Sequence, residues 1–286
     1  ASAPAPRAAA VPTPTAAPAP TTTPQPTPAP LVCDGPLELP VQGATGYAAT
    51  GIPLYAAPGP DDEPLATLPA GTPFTILEES GSWWRVEAAA GEGWVRHDFC
   101  LINLPDVIPS LVYRDTNSEA SLFRASGCEI PGVTGRALYD ARSYNARFGQ
   151  EIANMAVLYA TAKKLADVQG RALADGYTLV LYEGFRPYQT QTAVAQALQA
   201  LAAENETVRA GIDTEPWSIG WFIAGGVSNH QQGYAVDVSL ARVTGTADET
   251  CGPYAYTRVT RYEELAMPTA MPELSAAAAS LAEPVA

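Results

Sequence analysis

The chain has 286 residues, 47% of them hydrophobic, and a formal net charge of −14. That length accommodates two modest domains, and the apolar content supports a packed core over most of it. The acidity argues against nucleic acid and anionic membrane surfaces as partners, because both repel it, and the scattered carboxylates read as a solvated surface rather than a cation store.

The first segment, residues 1–30, is almost entirely Ala, Pro and Thr and contains ten prolines. It cannot bury a core, so an extended, polyproline-like linker is expected over 1–32. The chain starts at Ala1 with no basic stretch leading into an apolar one, so no signal peptide is visible. No run of about 18 apolar residues occurs anywhere, so no membrane span is expected.

Residues 33–103 change character. Short β-rich runs such as "TPFTILEE" and "WWRVEA" alternate with Pro/Gly turns, which predicts about five short strands closing a small barrel. From about residue 110 the pattern is mixed. Ile152, Met155, Leu158, Ala162 and Leu165 fall at helical spacing, with Gly176 as a stop. "TLVLYEGF" (178–185) is a buried strand, a second helix starts at Pro187, and Ala235–Leu240 is another strand. The fold class is therefore α+β: a mixed helix and antiparallel-sheet domain preceded by a small all-β barrel.

The chemistry concentrates in "SNHQQGYAVDVSL", Ser228 to Leu240. Strand alternation puts Tyr234, Val236, Val238 and Leu240 on a core face, and Ala235, Asp237 and Ser239 on a small polar one. Gly233 permits a turn that folds His230 back toward Asp237. A neutral imidazole and a carboxylate placed so can share a zinc ion. A plain His–Asp hydrogen bond tying a loop to a strand is the alternative.

Two family resemblances sharpen this reading. "LYAAPGPDDEPLATLPAGTPFTILEESGSWWRV" followed by "GEGWV" resembles a bacterial SH3 (SH3b) domain, which implies a module that targets the cell wall or a partner. Trp83, Trp84 and Trp94 are divided between barrel core and groove edge. "SNHQQGYAVDVSL", with "LYEGFRPYQTQ" before it and "MPTAMPELS" after it, resembles the zinc D-alanyl-D-alanine dipeptidases of the VanX-like type over residues 110–286. The resemblance implies Zn2+ as cofactor, His230 and Asp237 as two of three metal ligands, Arg186 as the oxyanion-stabilising catalytic residue and Ser228 beside the bound dipeptide. For Arg186 an ion pair with Glu183 is the alternative. The implied substrate is a D-Ala-D-Ala dipeptide or a peptidoglycan stem peptide, and the implied location is extracytoplasmic, secreted or wall-associated.

One element departs from the family, whose closing motif supplies a glutamate base and a third ligand, a histidine. No histidine follows His230, and His97 lies in the barrel. The expectation is that this part of the site is encoded beyond Ala286 and that the fragment is inactive; a non-catalytic peptidoglycan-binding protein is the alternative. Four widely spaced cysteines suit disulfides in an exported protein, with free thiols as the alternative. The pairing expected within each module is Cys33–Cys100 and Cys128–Cys251.

Overall fold

The computed structural model describes residues 29–30, 39–59, 63–115, 117, 121–251 and 254–281, without the side chains of 29, 30 and 251. The expected linker over 1–32 lies, apart from 29–30, outside the described residues.

Short connections separate the runs 73–80, 83–88, 91–96 and 100–103, and with 45–48 these pair antiparallel into one sheet. A small hairpin, Ile52–Leu54 with Ala66–Leu68, packs on it and bridges to Trp94 through Tyr55. The result is the small all-β barrel that the turn pattern predicts. Trp84 is its central side chain, fully buried, while Trp83 and Trp94 are half-buried at the Tyr55 edge. His97 is also buried, between the rings of Trp84 and Tyr159, with Nε2 3.0 Å from the Gly81 carbonyl oxygen.

The barrel is not an isolated bead. Ala156–Leu158 joins its sheet as a sixth strand, antiparallel to Leu101–Asn103. One apolar cluster runs from Trp84, Val86 and Ile102 through Leu104 and Val107 to Met155, Val157, Leu179 and Leu181. The two regions therefore share a core.

This pairing corrects one expectation. The helix is Tyr159–Ala174, and Ile152, Met155 and Leu158 precede it. Gln150–Ala153 forms a hairpin with Arg142–Asn145, and the buried run Ala156–Leu158 completes the barrel sheet. Short, wholly apolar runs fit a buried strand as well as a helix, and tertiary pairing decides between them. Gly176, at φ +80°, ends the helix as expected.

The second region centres on a five-stranded sheet. Tyr177–Glu183 runs antiparallel to the long strand Asp237–Cys251, which pairs antiparallel with Tyr254–Glu264. The helix Tyr188–Glu204 packs Val194 and Leu198 against Phe123, Ile130, Ile223 and Leu274 in a second core. The architecture is α+β, with an N-terminal all-β barrel. No described helix is long and apolar enough to cross a membrane.

Two further expectations fail. The strand begins at Asp237, so the alternation does not extend back to Tyr234, which sits in the turn and is 61% exposed. Val238 and Leu240 are 37% exposed, and of the face expected as core Val236 packs against the main cluster. Among the described residues no disulfide forms. Cys100 is a free thiol buried in the barrel interior, its Sγ donating to the Arg96 carbonyl oxygen at 3.3 Å. Burial pushes that thiol far above its usual range. Cys128 is free as well, half-buried beside Asn205. Cys33 lies outside the described residues.

Candidate active site

The end of the strand 177–183, the turn after it and the start of the strand at Asp237 meet at one place. Arg186 follows the strand and precedes Pro187, so its backbone is fixed between a buried strand and a helix. Its side chain is only 4% exposed. The guanidinium spends most of its donors internally. Nε and Nη2 donate to Glu183 Oε2, the former at 2.7 Å; Nη1 donates to Gln191 Oε1 at 2.8 Å; Nη2 also reaches Asp237 Oδ2 at 2.9 Å. The Phe123 ring lies under it, 5.1 Å from Cζ.

Glu183 is the hub of this network and is itself buried. Its Oε1 accepts from Asn117 Nδ2 at 2.7 Å and from the Tyr139 hydroxyl at 3.0 Å. Arg186, Asn117 and Tyr139 all donate to it, while the neighbouring Asp237 carboxylate opposes its charge. Burial pushes its carboxyl above the usual glutamate range, and Arg186 works against that without cancelling it.

The structure brings His230 and Asp237 together. Gly233, at φ +74°, closes the turn, and Tyr234 N–H donates to the Asn229 carbonyl at 2.9 Å. His230 Nδ1 lies 2.8 Å from the Gly184 carbonyl oxygen. That oxygen can only accept, so Nδ1 carries the proton and the lone pair sits on Nε2. Nε2 faces Asp237 Oδ1 at 3.6 Å. The two ligand atoms are too far apart for a strong direct hydrogen bond and close enough to share a metal ion with bonds of about 2.0–2.2 Å. Burial disfavours the charged imidazole, but the facing Asp237 more than reverses this, and the His230 proton is held above the usual histidine range. Burial would raise the Asp237 carboxyl; His230 and Arg186 together bring it below its usual value.

The residues fit a metal on this count: a lone pair and a carboxylate oxygen converge, and each ligand is oriented by a partner of its own. Among the described residues no group of three or more His, Cys, Asp or Glu side chains could complete a metal site. His97 is remote from it, as expected, being packed inside the barrel.

Ser228 stands at the mouth. Its backbone N–H and hydroxyl both bond Gln231 Oε1, at 2.6 and 3.0 Å, and Gln231 Nε2 donates to the Arg186 carbonyl at 2.9 Å. The cleft has a volume of about 440 Å³, and Arg186, His230, Asp237, Trp221, Phe222 and Glu273 are among the residues that line it. Glu273, from the "MPTAMPELS" stretch, is tied down by Ser126 N–H and the Ser275 hydroxyl.

Sequence reasoning missed the hub role of Glu183 and its partners Asn117 and Tyr139. The available signal was a glutamate closing a nearly all-apolar strand, since buried charge demands partners.

Gly233→Ala is expected to destabilise the protein by at least about 2 kcal/mol, because an L-residue there adopts a left-handed conformation. Its Cβ would also lie 2.8 Å from the Leu158 backbone nitrogen. Denaturant unfolding measures the loss.

Residues 50–99 match the family model of the bacterial SH3 domain. Residues 155–260 match that of the D-alanyl-D-alanine carboxypeptidases, a range that contains Arg186, Ser228, His230 and Asp237. A search of the curated proteins finds no match to the chain. The two matches, in that order, fit a layout of a bacterial SH3 domain followed by a D-alanyl-D-alanine carboxypeptidase domain of the VanY type.

Proposed function

We propose that the protein is a zinc-dependent D,D-peptidase, a carboxypeptidase or dipeptidase, that acts on cell-wall peptides ending in D-Ala-D-Ala. In this reading His230 and Asp237 hold the metal, residues 33–103 hold the enzyme at the wall, residues 110–286 carry the chemistry, and the protein works outside the cytoplasm. The observation that carries it is the His230 imidazole, fixed by Gly184 with its free lone pair toward Asp237.

Bound zinc would supply a Lewis acid that polarises the scissile carbonyl and acidifies a water molecule. The chain's own residues do the rest. Arg186 holds Asp237 Oδ2, so the carboxylate keeps one oxygen directed at His230. The guanidinium also places a fixed positive charge at the cleft, where an oxyanion develops in peptide hydrolysis. Ser228, which the resemblance sets beside the dipeptide, is steadied by Gln231. Trp221 and Phe222 add aromatic surface to the cleft lining. The general base and third ligand that the family implies are assigned to no described residue.

Release of D-alanine from an acyl-peptide ending in D-Ala-D-Ala, by a chain that also carries the closing glutamate and histidine the family implies, with zinc and after chelation, tests the reading. Zinc-dependent release from the D,D-peptide and none from its L,L-isomer is expected. A second reading, non-catalytic binding of wall peptides, is favoured by one observation: most Arg186 donors are already committed to Glu183, Gln191 and Asp237. Full zinc loading with no cleavage of any D,D-peptide would support it instead.

With two protein ligands, zinc affinity on this chain is expected to be micromolar or weaker. It also depends on pH. Zinc takes the neutral imidazole, and the His230 proton is held above the usual value of about 6.5. Affinity is therefore steady at alkaline pH and falls about tenfold per unit once pH drops below that raised value. Calorimetric titration between pH 5.5 and 8.5 checks this; an affinity independent of pH would contradict it.

A further inference from the structure

A second cavity, of about 600 Å³, adjoins the turn that carries Arg186. Arg186 itself lines the cleft, whereas its neighbours Phe185 and Pro187 line this cavity, and the two spaces share no lining residue. The cavity spans the junction of the two regions. The barrel contributes Ala48, Ala49, Ala70 and Gly71, whose small side chains leave the room, and the joining strand contributes Ala156.

The lining combines rings with neutral polar groups. Tyr47, Tyr139, Phe185 and Tyr188 supply the rings. The Tyr139 hydroxyl is committed to Glu183 and to the Phe185 carbonyl, and the Tyr47 hydroxyl to Ser143 and Asn154, so what these two tyrosines offer a ligand is ring surface. Tyr188 is 47% exposed. The Gln189 side chain has no hydrogen-bond partner among the described residues, and Asp140 uses only Oδ1, on the Arg142 N–H at 3.2 Å. Asp140 is the one charged residue in the lining; no Lys, Arg or His is among the residues that form it.

An anion, a peptide's terminal carboxylate included, therefore finds no cation here. A ring with apolar C–H faces and hydroxyl edges finds both of its needs: aromatic surface for the faces, and an amide and a carboxylate for the hydroxyls. Pyranose sugars have that two-sided chemistry, and the volume is that of cavities that enclose compact ligands. We propose that the junction cavity binds a neutral glycan, of the kind that forms the sugar strand of a cell wall. The site needs neither zinc nor a complete peptidase centre, so it goes beyond the peptidase reading: the cleft takes the peptide and the junction takes the sugar that bears it.

Calorimetric titration and saturation-transfer NMR of the full chain with tri-N-acetylchitotriose, in the presence of a chelator, test it. Saturable binding is expected, weakened about tenfold by Tyr188→Ala, which removes ring surface, and by Asp140→Ala, which removes a charged acceptor. Both residues lie at the surface, and unchanged thermal unfolding confirms the fold of each variant. Trp83→Ala, at the Tyr55 edge of the barrel, should leave the affinity unchanged. Absence of chitotriose binding overturns the proposal, as does binding that survives both substitutions or is lost in Trp83→Ala instead. The rival occupant is the chain's own segment 1–28, whose prolines also suit aromatic rings. A synthetic peptide of that segment that binds through Tyr188, where chitotriose does not, would replace the glycan. The peptidase reading is tested by cleavage and stands or falls separately.

Discussion

Arg186→Ala is expected to destabilise the protein by about 3–5 kcal/mol and to lower kcat a hundredfold or more. The stability loss follows from what the substitution strands. Glu183 is 3% exposed, burial raises its carboxyl, and Arg186, donating to Oε2, is the group that favours its charged form. Removing one partner of a buried ion pair leaves the other uncompensated, which costs more than the pair ever contributed. Asn117 and Tyr139 still bond Oε1, so the carboxylate is not abandoned, and the lower half of the range applies if they move inward. The kinetic loss has two sources. Asp237 loses the donor that orients Oδ2, and the cleft loses the charge that meets the oxyanion; loss of one such donor costs about 3–4 kcal/mol in the transition state. The second effect appears in kcat and not in KM, because the oxyanion exists only in the transition state. Arg186→Lys separates the two: it restores a charge without the planar fork that spans Glu183, Gln191 and Asp237. Denaturant midpoints and steady-state kinetics are the measurements. An unchanged kcat in a folded Arg186→Ala protein would reduce Arg186 to the ion-pair role.

The second large effect is expected at the ligands. His230→Ala and Asp237→Ala should abolish zinc binding and D,D-peptidase activity together, a loss of at least about a thousandfold, since a metal supplies several kcal/mol of charge stabilisation. Stability should change far less. His230 contributes one hydrogen bond, to the Gly184 carbonyl, worth about 1 kcal/mol. Activity without zinc in either variant would show that these residues do not carry the chemistry. Metal analysis and thermal unfolding on the same samples distinguish a lost ligand from a lost fold.

The parts of this site that were legible in the sequence are local. His230, Gly233 and Asp237 lie within eight residues, and a glycine able to adopt positive φ is enough to fold one toward the other. Arg186 was legible because a buried strand and a proline fix its backbone. The hub was not, because Asn117 and Tyr139 are 66 and 44 residues from Glu183, and nothing along the chain marks a pairing over that distance. The same limit explains the helix boundary. Met155 and Leu158 fit a helical stripe, but Ala156–Leu158 finds a better partner in the barrel strand 100–103, more than fifty residues earlier. The cysteine expectation failed for a related reason. Spacing says which cysteines lie in one module, not which way they point, and Cys100 points into the barrel core.

The account stands or falls on His230 as a metal ligand through Nε2. The chain has only two histidines, and His97, buried in the barrel, serves as an internal control. Long-range nitrogen–proton NMR of the imidazoles during zinc addition reads both at once. The expected result is a His230 ring protonated on Nδ1 before zinc, whose Nε2 resonance moves on addition while His97 stays fixed. A His230 ring protonated on Nε2, or one that zinc leaves unchanged, would contradict the account.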